Sequence, residues 1–270
     1  MKREATNGSA MIKRLWSALL ESPRVASARR RYASPIDFVR ARLSPRGYLG
    51  LQLTLGTLVL LGASWLFGGI TEDVLHDDPL AIVDRLVADW FEARSVPALT
   101  RAMLSISQVH NTVPLTAIAV ALAVFLAWKR QWTWLVGLTI VVPGGMLLNV
   151  ATKEIIARPR PHLGDLAIAL TSYSFPSGHA AAATLLYGFA AVYFFAHIRA
   201  WRWRVMIALV AFFLIVMVGF SRVYLRLHYL SDVLAGMAES VAWLALCLTA
   251  MNTFSQRAQA SKSGVLGHEE

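Results

Sequence analysis

The sequence predicts an all-α integral membrane protein: a bundle of six transmembrane helices with short interfacial helices between spans 1 and 2. Three observations carry that expectation. Of 270 residues, 56% are hydrophobic and 16% charged, and the mean hydropathy is +0.52, values that suit a chain of several spans rather than a water-soluble globule. The apolar residues gather into runs of 16 to 23, all uncharged except one that holds a single acid, with polar breaks between them. Tryptophans at 128, 132, 134, 201 and 203 bracket several runs, where aromatic side chains prefer the membrane–water boundary.

The first 47 residues hold eleven Lys or Arg and no apolar run, so they read as a basic cytoplasmic tail without a cleavable leader. The first span is Tyr48 to Ile70, 23 residues, followed by a polar break from Thr71 to Pro79. In the next segment Ile82, Val83, Leu86, Val87, Trp90 and Phe91 share one helical face, with Asp84, Arg85, Asp89 and Glu92 off it. Pro97 interrupts, and Leu99, Met103 and Ile106 resume a stripe. Residues 80–110 therefore read as two short interfacial helices that either roof a site or connect spans, connection being the plainer account. Five more spans follow: Val113–Trp128, Trp132–Thr152, Ala180–Ala196, Val205–Phe220 and Val233–Ala250. Residues 48–252 make one six-span domain and 253–270 a polar C-terminal tail. The last span holds Glu239, costly in a bilayer, for which a hydrogen bond inside the bundle, for instance to Asn149 or a Thr, is the modest reading.

The net charge of +10 would suggest nucleic acid as a partner in a soluble chain. Here it is an orientation signal, and no nucleic-acid partner is expected. With the N-terminus inside, cytoplasmic segments hold eighteen of the 26 Lys and Arg. The positive-inside rule then gives an inner-membrane protein with both termini cytoplasmic. Five of the eight outer cations fall in residues 153–160 and 222–226, which calls for a separate reason. The single Cys247, in an apolar run, reads as a small packing residue. Oligomeric state is not legible.

Three segments on that outer side carry chemistry. Lys153-Glu154-Ile155-Ile156-Ala157-Arg158-Pro159-Arg160-Pro161 places three cations where cations are otherwise scarce; Arg presents a planar fork to phosphate oxygens and Lys a point charge. Ser174-Phe175-Pro176-Ser177-Gly178-His179 enters the fourth span, with Ser177 as helix N-cap and free backbone N–H groups that attract an anion. Between spans 5 and 6, His228 and Asp232 are four residues apart, so on a helix they share a face, and a carboxylate on one imidazole nitrogen frees the other as nucleophile or base. Arg158 and Arg226 either contact substrate or stabilise the loop or the headgroup region, stabilisation being the plainer account.

Read as K-x6-RP, PSGH and SR-x5-H-x3-D, the three segments resemble the tripartite signature of the type 2 phosphatidic acid phosphatase superfamily of integral-membrane lipid phosphatases, matched at every position. The resemblance implies that His228 is the nucleophile, forming a phosphohistidine, that Asp232 orients it, and that His179 acts first as acid and then as base. It implies that Lys153, Arg160, Ser177, Gly178 and Arg222 hold the phosphate oxygens, with no metal or other cofactor. The expected substrate is a lipid phosphate or diphosphate, of the phosphatidic acid, phosphatidylglycerol phosphate or undecaprenyl diphosphate type, met at the outer, periplasmic face. Two alternatives stay open: a lipid phosphotransferase using the same site, and a non-catalytic lipid-binding or transport protein.

Overall fold

The computed structural model describes residues 51–76, 78–161 and 172–266, with side chains as far as residue 256. The described residues form eight helices and no strand: α1 (Leu51–His76), α2 (Pro79–Ala93), α3 (Pro97–Val109), α4 (Thr112–Trp128), α5 (Trp132–Ile156), α6 (Gly178–His197), α7 (Trp201–Tyr224) and α8 (Leu230–Leu266). The basic tail expected over 1–47 lies outside the described residues. Five helices, α1, α5, α6, α7 and α8, are long and apolar enough to cross a membrane. The candidate for a sixth is α3 and α4 taken together, which meet at a 48° bend, so part of the segment expected to lie in the interface is paired with the expected second span. Asn111 makes that break: its side chain accepts from the Thr112 N–H at 2.9 Å and caps α4.

Two boundaries differ from expectation. Thr71-Glu72-Asp73 does not end α1, which runs on to His76; the Thr71 hydroxyl bonds back to the Phe67 carbonyl, and the first breaker is Pro79. Likewise α8 continues to Leu266 and takes most of the expected tail, since no proline follows the last span to stop the helix.

Helix α6 is the hub and packs on α5, α7 and α8. In lipid, where apolar burial drives little, close approach depends on small residues, and the four alanines from Ala180 to Ala183 plus Gly188 supply it. Leu185, Leu186, Phe189 and Tyr193 of α6 join Leu138 and Val141 of α5 and Leu244 and Cys247 of α8 in the main core. Trp243 adds a hydrogen bond from its indole N–H to the Val141 carbonyl at 3.0 Å.

Helix α2 exposes much of its apolar face and buries an acid. Ile82, Val83, Leu86 and Trp90 are exposed, whereas Asp84 is 1% exposed. Val87 and Phe91 still pack inward, on Val223 and Tyr224. A helix at a membrane edge turns its apolar stripe to lipid, so its acid can face protein.

Candidate active site

The site gathers where α5 ends, α6 begins and α7 passes into α8. Ala157 takes a left-handed conformation (φ 49°) and closes α5 with an N–H bond to the Lys153 carbonyl, so Arg158-Pro159-Arg160 turns back over the helix end. Lys153, 8% exposed, donates from Nζ to the carbonyls of Tyr173 (2.9 Å) and Pro176 (2.8 Å), and so ties the strand of chain before α6 to α5. Arg160 reaches the Leu227 carbonyl from Nη1 at 2.6 Å and the Ser172 carbonyl from Nε at 2.8 Å.

The turn that opens α6 contains a cis Phe175–Pro176 peptide bond. Ser177 stands at the N-cap position as expected, but its hydroxyl makes no capping bond and is buried without a partner. Its N–H goes instead to the Asp232 carbonyl at 2.9 Å. Helix α8 comes so near that a Cβ on Gly236 would stand 2.6 Å from the Ser177 carbonyl oxygen, so only glycine lets the two segments meet.

His228 precedes α8 and lies in the turn after α7, so its pairing with Asp232 is not the helical i,i+4 contact that the spacing suggested. The pairing is nonetheless made, with His228 Nδ1 3.5 Å from Asp232 Oδ2. The other ring nitrogen, Nε2, is 3.2 Å from Arg160 Nη1. A guanidinium can only donate, so Nε2 carries the lone pair and the proton sits on Nδ1, facing the carboxylate. Burial pushes this imidazole down to about 4, Asp232 pulling the other way, so the ring is neutral at pH 7.

Asp232 is fully buried, and its Oδ2 also accepts from the Tyr229 N–H (2.9 Å) and the Ser174 hydroxyl. Arg222, 6% exposed, has a weak bond to the Ser107 carbonyl at 3.4 Å and a buried Nε with no partner. His179 is half-buried at the start of α6 and borders a cavity of about 500 Å³ that runs down between α4, α5 and α6. Apolar side chains such as Leu115, Ala119, Val142, Met146 and Leu186 line that cavity, with Gly178 and His179 at one end. All eight expected site residues thus lie in these neighbouring segments. Among the described residues, no three His, Cys, Asp or Glu side chains lie close enough together to hold a metal ion.

Two groups, Asp84 and Gly236, were missed by pattern alone. Arg158, read as touching substrate or steadying its loop, reaches two acids: it bonds Asp232 Oδ1 from Nη1 at 2.6 Å and Asp84 Oδ2 from Nη2 at 2.9 Å. Asp84, on the polar side of an amphipathic segment, gave no signal in the sequence beyond being an acid. Gly236 carries no mark that separates it from any other helical glycine. Glu239 lies outside the set, as expected, accepting from Asn149 (2.9 Å) and Thr152 (2.6 Å). Arg226 faces Glu92 at 2.9 Å.

A polytopic helical bundle with a His–Asp pair and several cations gathered at one cluster of helix ends defines an integral-membrane protein with a polar, cationic site. Known proteins agree. The family model of the PAP2 superfamily matches residues 131–256. Phosphatidylglycerophosphatase B of Bacillus subtilis (strain 168) is 30% identical over 176 residues, 64% of this chain and 86% of that protein. The crystal structure of a transmembrane PAP2 type phosphatidylglycerolphosphate phosphatase from Bacillus subtilis aligns with a TM-score of 0.64 at 27% identity, over 70% of this chain and 93% of that one. The chain belongs to the PAP2 superfamily of membrane lipid phosphatases. It is a multi-pass membrane phosphatase.

Proposed function

We propose that the protein hydrolyses a lipid phosphate monoester or diphosphate, of the phosphatidylglycerol phosphate, phosphatidic acid or undecaprenyl diphosphate type, through a phosphohistidine on His228. The observation that carries the reading is the state of His228: neutral, proton on the Asp232 side, lone pair on Nε2 and an arginine beside that lone pair. The Nε2 pair attacks phosphorus, and the P–O bond to the lipid breaks in line. His179, protonated once the negative charge of a bound phosphate stands beside it, gives that proton to the departing oxygen. Arg160 turns from Nε2 to the phosphoryl oxygens, joined by Arg222 Nε and the Ser177 hydroxyl, donors left buried without partners. Lys153 and the Gly178 N–H complete the set. In the second half, His179 takes a proton from water, the hydroxide attacks phosphorus, and the P–N pair returns to Nε2. Side-chain cations neutralise the phosphate, so no metal is required. The apolar cavity that begins at His179 gives an acyl or prenyl chain a place beside the reacting headgroup.

The test is phosphate release from a panel of lipid phosphates by purified protein in detergent. Activity that survives EDTA, is blocked by vanadate and is absent in His228→Ala supports the reading; full activity in that variant ends it. The excess of cations on the other side further supports a periplasmic site with both termini cytoplasmic. Terminal tags shielded from outside labelling are expected, and a labelled terminus inverts the orientation.

A further inference from the structure

We propose that Arg158 and Asp84 are positioning residues of the hydrolytic site, and that together they determine which Asp232 oxygen faces His228. The proposal rests on the phosphohistidine reading above. Arg158 is 12% exposed at its side chain, and both of its terminal nitrogens are engaged. Nη1 bonds Asp232 Oδ1 at 2.6 Å and the Ser231 hydroxyl at 2.8 Å, and Nη2 bonds Asp84 Oδ2 at 2.9 Å. The Tyr229 ring covers the guanidinium, its centroid 4.2 Å from Cζ. With both terminal nitrogens on protein acceptors and a ring across its face, the guanidinium is committed to the protein rather than to a phosphate. It occupies Asp232 Oδ1 and leaves Oδ2 to the imidazole, the Tyr229 N–H and Ser174.

Asp84 is the anchor of this arrangement. It accepts from the Ser231 N–H at 2.9 Å and the Ser231 hydroxyl at 2.5 Å, so it fixes the first turn of α8 as well as Arg158. Its charge also offsets that of Arg158. Without it, the guanidinium would draw more strongly on Asp232 and weaken the carboxylate's hold on the imidazole as positive charge develops there. A lysine cannot replace Arg158, because a point donor does not span two carboxylates. Thus α2, for which connecting spans was the plainer account, holds the catalytic pair in register from behind.

The test compares Arg158→Gln, Asp84→Asn and the double variant with Arg160→Gln, all as full-length protein in detergent. For Arg158→Gln and Asp84→Asn, kcat falls about 10- to 100-fold, as for groups that orient a catalytic residue, while KM and the vanadate inhibition constant stay within about twofold of wild type. Arg160→Gln raises the vanadate constant. The double variant is no worse than Arg158→Gln, since both act along one chain, and Arg158→Lys does not restore kcat. A vanadate constant raised in Arg158→Gln as in Arg160→Gln makes Arg158 a phosphate ligand and overturns the proposal. Unchanged kcat, or effects that multiply in the double variant, overturn it equally. If Arg158→Gln does not fold, the near-isosteric Asp84→Asn carries the same test. Loss of the phosphatase reading looks different: wild type releases no phosphate, or His228→Ala retains full activity. In that case ¹⁵N histidine spectra decide. Arg158→Gln should lose the single Nδ1–H form of His228, and an unaltered spectrum refutes the positioning role.

Discussion

Gly236→Ala tests whether the divided site depends on backbone contact between α8 and the turn that opens α6. The added methyl would stand 2.6 Å from the Ser177 carbonyl oxygen, 3.3 Å from its nitrogen and 3.4 Å from its carbonyl carbon. A comfortable carbon–oxygen approach is about 3.3 Å, so the two segments must separate by about 0.7 Å. No side-chain rotation relieves this, because every near atom is backbone. The shift falls on the residue before Gly178 and His179, and it pulls on the Ser177 N–H bond to the Asp232 carbonyl. Overpacking of this kind costs about 1–3 kcal/mol of stability. Misplacement on the order of 1 Å in an active site costs about 100-fold in rate. We expect Gly236→Ala to lose roughly 10- to 100-fold in kcat and several degrees in Tm, measured by phosphate release and thermal unfolding in detergent. Gly68→Ala, where nothing lies within 4 Å, is the control and should leave both unchanged. Wild-type kcat and Tm in Gly236→Ala would refute the close-approach argument.

Three further outcomes are expected. His228, pushed by burial to about 4 from an ordinary 6.5, binds its proton later on acidification than the unfolded chain does; its contribution to stability is whole above pH 6.5 and is lost between pH 6.5 and 4. Its ring ¹⁵N signals should therefore stay in the neutral form down to about pH 5, and titration near 6.5 would contradict this. Arg222→Met removes a buried charge with an unpartnered Nε, so thermal stability should hold or rise while phosphate release falls at least about 100-fold; a clear loss of stability would assign Arg222 to structure instead. Glu239→Ala strips Asn149 and Thr152 of their common acceptor inside the bundle and should cost about 2–4 kcal/mol by thermal unfolding, with Glu239→Gln costing less; equal effects would show that the acceptors are not what matters.

The spans were legible because lipid imposes a length and a polarity that any window of residues reveals. The eight residues expected at the site could be picked out because they come in three short stretches with fixed spacing, which the structure places side by side. The remainder was not, since it depends on partners far along the chain. Asp84 follows an amphipathic pattern that ordinarily sends an acid to water, and only Arg158, 74 residues later, and Ser231, 147 residues later, make it an inward residue. The same holds for Ser177: its local sequence suggests a capping hydroxyl, but its N–H finds Asp232 and its hydroxyl is left open. His228 and Asp232 pair as the spacing suggested, though through a turn rather than along a helix face.

The distance in sequence between Asp84 and its partners also bears on how the chain is made. A ribosome delivers α2 long before Arg158, and before Ser231 by most of the remaining synthesis. A buried carboxylate without partners costs several kcal/mol, so the inward seat of α2 cannot be occupied by a nascent chain that lacks α8. Until then the acid must remain in water and α2 undocked. Seating of α2 is therefore among the last events of biogenesis, and chains truncated before residue 231 should expose this helix to protease and to quality control.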